Sequence, residues 1–223
     1  MMKLLKRALN YVRQHLAQDD SVSKAAKGGS ASYWTAYTIT APEFSSKEES
    51  LEYFDWRNDQ YPGYIDLMPV KGYDDQIIID YGCGPGNDLV GFSTFSNPKE
   101  LIGLDVSKTA LDLSKGRLKL HEKNPRLILL EEKRNEIPIE SNYVDLIHSS
   151  GVLHHCANLP AVLKEFHRIL KDDGTINIMV YNYSSIWLHL YTAYIQQIER
   201  GNFSNMGILE AFRMNTDGEL CPI

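Results

Sequence analysis

Cysteine is scarce in this chain: Cys83, Cys156 and Cys221 are the only three in 223 residues. An odd count with no close pair at metal-ligand spacing argues against a disulfide framework and against a metal site, and fits a reducing cytoplasm. Long apolar runs are lacking too. None reaches the roughly 18 residues that a bilayer-spanning helix needs. The opening MMKLLKRALNYVRQHL is basic, but it has neither a continuous apolar stretch nor a small-residue cleavage site, so it does not read as a signal peptide. Basic charge is in deficit: 23 Lys and Arg against 29 Asp and Glu give a formal net charge of −6. Residues 1–27 carry Lys3, Lys6, Arg7, Arg13, Lys24 and Lys27 against Asp19 and Asp20, a local +4, so the rest of the chain holds −10. Proteins that grip nucleic acid favour a basic face, and no nucleic-acid partner is expected here. Internal repeats and low-complexity blocks are absent as well.

What is present is an ordinary globular balance, 43% apolar and 23% charged, enough for one sizeable domain with an extension. Leu4, Leu5, Ala8, Leu9, Val12 and Leu16 fall at helical spacing among lysines and arginines. This amphipathic helix packs on the domain or lies as a loose arm; peripheral contact with a membrane surface is the less favoured alternative. Residues 24–32 read as a linker. An aromatic-rich stretch follows from Tyr33 to Tyr64. Within it SSKEESLEYFDWRNDQ begins with a serine cap followed by acids and predicts a helix that ends before Pro62-Gly63.

From residue 76 strand and helix signals alternate. Strands are expected at 76–81, 101–105, 127–130, 144–149 and 175–181. Helices are expected at 87–95, 108–122, 159–170 and 185–198. Ser107 is a plausible cap for the second of these, and Leu163, Phe166, Ile169 and Leu170 share a side of the third, which Gly174 would stop. Ile186, Leu190, Tyr194 and Ile198 share a face of the last. Strands separated by helices imply parallel pairing with right-handed crossovers. The expected fold is α/β: a Rossmann-like, doubly wound, mostly parallel sheet with an N-terminal helical and aromatic extension. Three regions follow: an extension at 1–70 that forms a lid, a ligand-binding core at 71–183, and a helix with tail at 184–223. In such sheets the ligand lies beyond the carboxyl ends of the strands.

The strongest local signal is IIIDYGCGPGN at 77–87, a buried strand running into three glycines and then a helix. Glycine allows a tight turn and close approach of a ligand. The G-x-G-x-G spacing departs from the dinucleotide fingerprint, which would place its third glycine where Asn87 stands. Pro85 also removes a backbone donor that a pyrophosphate would want. Asp105 closes the second strand, where an acid can accept hydrogen bonds from both hydroxyls of an unmodified ribose. Asp80, at the rim of the loop, could hold the glycine turn or bind a cationic amino group.

Asp80-x-Gly82-x-Gly84-x-Gly86, with Asp105 after the next strand, resembles the first motif and partner acid of class I S-adenosylmethionine-dependent methyltransferases, in their broad small-molecule (type 11-like) branch. Ile137-Pro138-Ile139, Tyr143–Ile147, Gly151–His155 and LKEFHRILKDDG at 163–174 resemble further family segments in the right order. The likeness covers residues 76–183. It implies S-adenosylmethionine as cofactor, held by Asp80, Gly82, Cys83, Gly84, Asp105, Val106 and Ser149. The family's adenine contact after the third strand falls at Glu131–Asn135, with Lys133 where an acid is common, and Glu132, Asn135 or backbone groups are the alternatives.

The reaction needs donor and acceptor in line with water excluded, and a base only if the acceptor must lose a proton. His154, after the fourth strand, is the candidate base, and loop shaping is its bland alternative. Arg57, Tyr61 and His155 are candidate substrate contacts. Trp56, Arg57, Asn58 and Tyr61 are the candidate lid, although aromatics there could simply pack a helix on the sheet. His148 reads as a buried, satisfied histidine. Ser149-Ser150-Gly151-Val152 stands where methyltransferases of exocyclic or amide nitrogens show an Asn/Asp-Pro-Pro-Tyr/Phe sequence. A small-molecule acceptor is therefore expected, methylated on oxygen, carbon or an amine. Two other readings stand beside this one: a methyltransferase-like cofactor-binding protein without catalysis, and an NAD(P)-dependent oxidoreductase. The tail after Tyr183 shows no pair of alternating apolar runs joined by a turn. The resemblance then implies a sheet lacking the family's closing edge hairpin, and a native chain that continues past Ile223.

Overall fold

The computed structural model describes residues 30–36, 38, 43–131 and 136–216. The amphipathic segment at 4–16 and most of the 24–32 linker lie outside these residues, as do Glu132–Asn135 and Cys221.

Five strands form one parallel sheet in the order β3-β2-β1-β4-β5: β1 (Ile77–Tyr81), β2 (Glu100–Asp105), β3 (Arg126–Leu129), β4 (Val144–Ser150) and β5 (Leu170–Met179). β1, the central strand, is buried along its whole length, which explains its unbroken isoleucine run. Its side chains alternate between two cores. Ile77, Ile79 and Tyr81 face a cluster with Leu104, Val162, Phe166 and Ile169. Ile78 faces the other, with Leu89, Phe92, Leu111, Leu118 and Leu146. The doubly wound α/β fold is thus as expected. The chain runs β1, β2, β3 outward on one side and then returns to start β4 on the other side of β1. The reversal between β1 and β4 leaves the crevice in which such folds hold ligands.

One crossover helix starts at the cap read from the sequence. Between β1 and β2 runs α4 (Asn87–Phe95), and between β2 and β3 runs α5 (Lys108–Leu120), whose cap Ser107 accepts from the Ala110 amide through Oγ. Before the sheet come α1 (Ser30–Ala36), α2 (Lys47–Asp59) and α3 (Tyr64–Leu67). At the start of α2, Ser46 Oγ accepts from Glu49 N while Glu49 reaches back to the amide and hydroxyl of Ser45, a reciprocal cap of the kind that contributes roughly 1 kcal/mol. Phe54 packs α2 onto α4 beside Gly91, where a Cβ would lie 2.6 Å from the Phe54 ring.

Buried Arg117 ties α2 to α5. Its guanidinium donates to Ser50 Oγ at 2.7 Å, Ser50 O at 2.9 Å and Asn87 Oδ1 at 3.1 Å, under the ring of Phe44 at 4.5 Å. Burial lowers Arg117 to about 10, so it stays charged at neutral pH among neutral oxygens.

Four expectations need correction. Residues 30–32, read as linker, belong to α1, because Tyr33 is buried and Ser107 Oγ donates to the Trp34 carbonyl at 3.1 Å, docking this turn on the body. Leu163 of α6 (Leu159–Ile169) is exposed and Val162 is buried in its place. Gly174 does not stop that helix; it lies inside β5, which starts at Leu170. Val144 faces Leu170 and Leu146 faces Thr175, so two steps along β4 correspond to five along β5 and the extra residues bulge out. Gly174 sits where a Cβ would approach the Val144 carbonyl to 3.0 Å. Finally, α7 (Trp187–Glu199) is wound with i to i+5 pairing, and the apolar set Ile186, Leu190, Tyr194 and Ile198 faces solvent. Leu188, Thr192 and Gln196 are its buried positions; α7 packs against α8 (Ile208–Thr216), in which Ala211 and Phe212 are buried. No helix among the described residues is long and apolar enough to cross a membrane.

Candidate functional site

Three loops meet at the carboxyl ends of β1, β2 and β4. The loop after β1 holds Gly82, Gly84 and Gly86 at φ of 76°, 52° and 80°, values that only glycine adopts readily. Two of the three are also forced by packing. A Cβ on Gly82 would lie 2.3 Å from Val152 in the loop after β4, and one on Gly86 would lie 2.4 Å from Ser114 Oγ of α5. Gly84 faces open space. The glycine turn is held by Asp105, not by Asp80: Asp105 Oδ2 accepts from Gly84 N and Oδ1 from Ser107 N, each at 2.8 Å. Burial raises the Asp105 carboxyl while the amides of Ser107, Gly84 and Val106 pull it back. Cys83 is buried beneath the loop, and Val106 is half-buried between Asp105 and the cap of α5. Ser149 is fully buried and donates its hydroxyl to the Tyr81 carbonyl at 3.0 Å, so it ties β4 to β1.

Asp80 is 2% exposed, and its Oδ2 is buried with no hydrogen-bond partner. Burial pushes its carboxyl up to about 7, although His148 and Arg57 act in the opposite direction. Between about pH 4 and 7 the folded state then holds more protons at Asp80 than the unfolded chain, so this group's stabilisation is lost as pH rises through about 7. Thermal melts at pH 5 and pH 8 are expected to show a smaller fall in Tm for Asp80→Asn than for the wild type. Equal falls would rule out Asp80 as the source.

Beside Asp80 lies a charged corner. Arg57 Nη1 meets Asp88 Oδ1 and His148 Nε2 meets Asp88 Oδ2, both at 3.2 Å. Arg57 also donates to Asn58 Oδ1 at 3.0 Å and to Ser150 Oγ at 3.4 Å, and its guanidinium lies 4.6 Å from the centre of the Tyr64 ring. The Tyr64 hydroxyl sits 2.6 Å from Ser150 Oγ, and burial pushes it up to about 12. Of the lid candidates, Arg57 and Asn58 therefore point into the body, Trp56 packs against Tyr53, and Tyr61 is 65% exposed. His148 is buried and bonded through Nε2, while its Nδ1 has no partner.

After β4 a single 3₁₀ turn, Leu153–His155, sets His154 and His155 side by side with ring centroids 4.1 Å apart. Tyr181 covers His154 at 4.0 Å and Trp34 meets His155 edge-on at 4.9 Å. The sequence reading missed Asp88, Tyr64, Ser150, Trp34 and Tyr181. Only the Pro62-Gly63 turn ahead of Tyr64 and the place of Ser150 at a strand end gave a local signal. Among the described residues no group of three His, Cys, Asp or Glu side chains could hold a metal ion.

Residues 79–178 match a family model described as a methyltransferase domain. An uncharacterised methyltransferase of Schizosaccharomyces pombe is 30% identical over 131 residues, covering 54% of this chain and 45% of that protein. A malonyl-[acyl-carrier protein] O-methyltransferase of Marinomonas is 27% identical over 153 residues, 62% of this chain and 54% of that protein. The chain thus spans about half the length of these curated relatives. A putative S-adenosylmethionine-dependent methyltransferase from Methanococcus maripaludis superposes over 78% of this chain and 83% of its own, with a TM-score of 0.49 and 20% identity. Over residues 79–178, with their glycine loop, partner acid and strand order, the chain is thus similar to S-adenosylmethionine-dependent methyltransferase domains.

Proposed function

We propose that this chain binds S-adenosylmethionine across the loops that follow β1 and β2 and promotes methyl transfer to a small-molecule acceptor entering beside the loop after β4. The observation that carries this reading is the pairing of two buried acids with different unmet needs. Asp105 uses one lone pair of each oxygen on the loop backbone, and the remaining lone pairs suit the two ribose hydroxyls. Asp80 Oδ2 has no partner and suits the ammonium of the methionyl part. Gly84 leaves the backbone between them bare for close approach, with Gly82, Cys83 and Val106 completing the floor; Ser149 braces that floor from below. The residues present therefore fit the cofactor.

The bound cofactor supplies a methyl group already activated on a sulfonium. The chain's own task is to hold the acceptor in line with it and keep water out. Arg57, neutralised by Asp88, orients the polar end of the site, and Tyr61 stands at its rim. His155 borders the acceptor side. His154, which burial pushes down to about 4, is neutral at physiological pH and available to take a proton from the acceptor.

Calorimetric titration with S-adenosylmethionine and, separately, with NAD tests the reading. One S-adenosylmethionine site per chain and no heat with NAD are expected. S-adenosylhomocysteine should then form faster with small-molecule extracts than with bulk tRNA or DNA. Binding of NAD alone would overturn the cofactor assignment, and faster methylation of nucleic acid would overturn the acceptor class.

A further inference from the structure

Asp80 and His148 stand opposite each other on β1 and β4. They are register partners in the parallel ladder, two residues beyond the partners Ile78 and Leu146. Strand side chains alternate between faces, so both lie on the face that Ile78 and Leu146 share with Phe54 of α2 and Phe92 of α4. Each is buried and keeps one polar atom without a hydrogen-bond partner, Oδ2 on Asp80 and Nδ1 on His148. The other ring nitrogen of His148 is engaged by Asp88 Oδ2, while Arg57 occupies Asp88 Oδ1. Phe92 packs edge-on against the imidazole at 5.2 Å. An orphaned acid oxygen and an orphaned ring nitrogen on neighbouring positions call for a common partner.

Among the described residues, the groups that act on this pair come from every element packed against it. Asp88 comes from α4 and Arg57 from α2, with Asp105 from β2 and the Cys83 thiol from the glycine loop. Asp88 also acts on Tyr64 of α3 and Arg117 of α5. From β5 the register partner of His148 is the uncharged Asn177, whose amide donates to the Tyr73 hydroxyl. With Asp80 and Asp88 ionised and Arg57 and His148 charged, these four groups sum to zero. One further positive charge beside them would leave a buried excess, which is costly. Loss of one proton restores the balance. Burial pushes the Asp80 carboxyl up to about 7 against the charge of His148, and Asp88 raises His148 against its burial, so the pair has a proton to give near neutral pH.

We propose that the ammonium of the cofactor enters in exchange for a proton held by the Asp80–His148 pair, and that His148 is the positioning residue that sets how readily Asp80 gives that proton up. This deepens the cofactor reading above and rests on it. In the free chain the imidazole shares the charge of its neighbour across the ladder. When the ammonium arrives at Asp80 Oδ2, one proton leaves the pair for solvent, and the net charge of the cluster is unchanged. His148 then keeps its Nε2 bond to Asp88 and presents Nδ1 as a second acceptor.

The test measures the heat of S-adenosylhomocysteine binding to the full chain in buffers of low and high ionisation heat, which counts the protons released. Close to one proton is expected at pH 6.5, falling toward pH 8, with affinity rising over the same range. The comparison ligand is 5′-methylthioadenosine, which keeps the adenosine and sulfur but lacks the amino-acid part, and it should release none. The carboxylate of the amino-acid part would draw protons in, so a release identifies the ammonium. His148→Gln retains a donor for Asp88 but cannot carry charge. In that variant Asp80 keeps its proton to higher pH, so the release should stay near one at pH 8 and the affinity curve should move up by about one pH unit. A merely structural loss would instead weaken both ligands alike and leave the position of the curve unchanged. Binding of S-adenosylhomocysteine without proton release at pH 6.5, equal release with 5′-methylthioadenosine, or a wild-type pH profile in His148→Gln overturns the proposal and leaves cofactor binding intact. Failure of S-adenosylhomocysteine to bind the wild type overturns the underlying reading, and this proposal with it.

Discussion

Asp88→Ala is expected to lower the stability of the chain by about 3–5 kcal/mol at pH 7, the range seen when one partner of a buried ion pair is removed. Asp88 stands at the first turn of α4 and faces two cationic groups, Arg57 and His148, each at 3.2 Å. Burial alone would raise the Asp88 carboxyl, but the charge of Arg57 and the hydrogen bond and charge of His148 outweigh it, and its value falls well below the usual range. For His148, burial opposes charging, yet Asp88 and then Asp80 raise it above 6.5. A depressed carboxylate stabilises the fold above its unfolded pKa, about 3.9, and that contribution is lost as pH falls through the lower folded value. The raised histidine contributes below its unfolded pKa and is lost as pH rises through its folded value. Removing Asp88 leaves the guanidinium without its carboxylate and the imidazole without its acceptor. Urea unfolding at pH 7 measures the loss, and Asp88→Asn, which retains an acceptor, should lose less. A loss below 1 kcal/mol in Asp88→Ala would mean that solvent already screens the cluster.

The second large effect falls on cofactor affinity. Asp105→Ala should weaken S-adenosylhomocysteine binding by about 1.5–3 kcal/mol, roughly 10- to 150-fold, from the lost hydrogen bonds to a charged group. The same carboxylate braces Gly84 N and Ser107 N, so the alanine variant also frees the turn of the glycine loop and the cap of α5. Asp105→Asn separates the two contributions: its amide oxygen can keep one backbone bond while the charge is gone, so an intermediate loss is expected. Calorimetry on the three proteins measures this series. Wild-type affinity in Asp105→Ala would remove the ribose assignment.

The parallel sheet and the crossover helices were legible because each rests on local chemistry: an unbroken isoleucine run, serine caps, glycines after a strand. The glycine loop and Asp105 were legible for the same reason. What could not be read depends on long-range packing. Asp88 looks like an ordinary acid in a first helical turn, and only the fold brings Arg57 and His148 to it. Trp34 and Tyr181 are 147 positions apart in the chain and share one cluster through the two histidines. The apolar set on α7 was found by period, but period cannot tell whether such a stripe faces protein or solvent. Asp80 was left between bracing the loop and binding a cationic group, since sequence spacing does not reveal which carboxylate reaches the loop amides; Asp105 does.

The extra residues between Leu170 and Thr175 give the outer strand a place where chain length can change. Strand side chains alternate with a period of two, so inserting or deleting one residue in a regular strand turns the rest of its side chains inside out. Here the ladder closes on both sides of the bulge, at Val144 with Leu170 and at Leu146 with Thr175. Lys171 is tied to Asp145 at 2.7 Å and Gly174 is wedged against Val144, but Asp172 and Asp173 between them are exposed. Residues added or removed at that point leave the alternation of Thr175–Met179 untouched. The edge of the sheet thus carries a length-neutral joint where lineages can drift in size and where a reporter peptide can be grafted without disturbing the crevice.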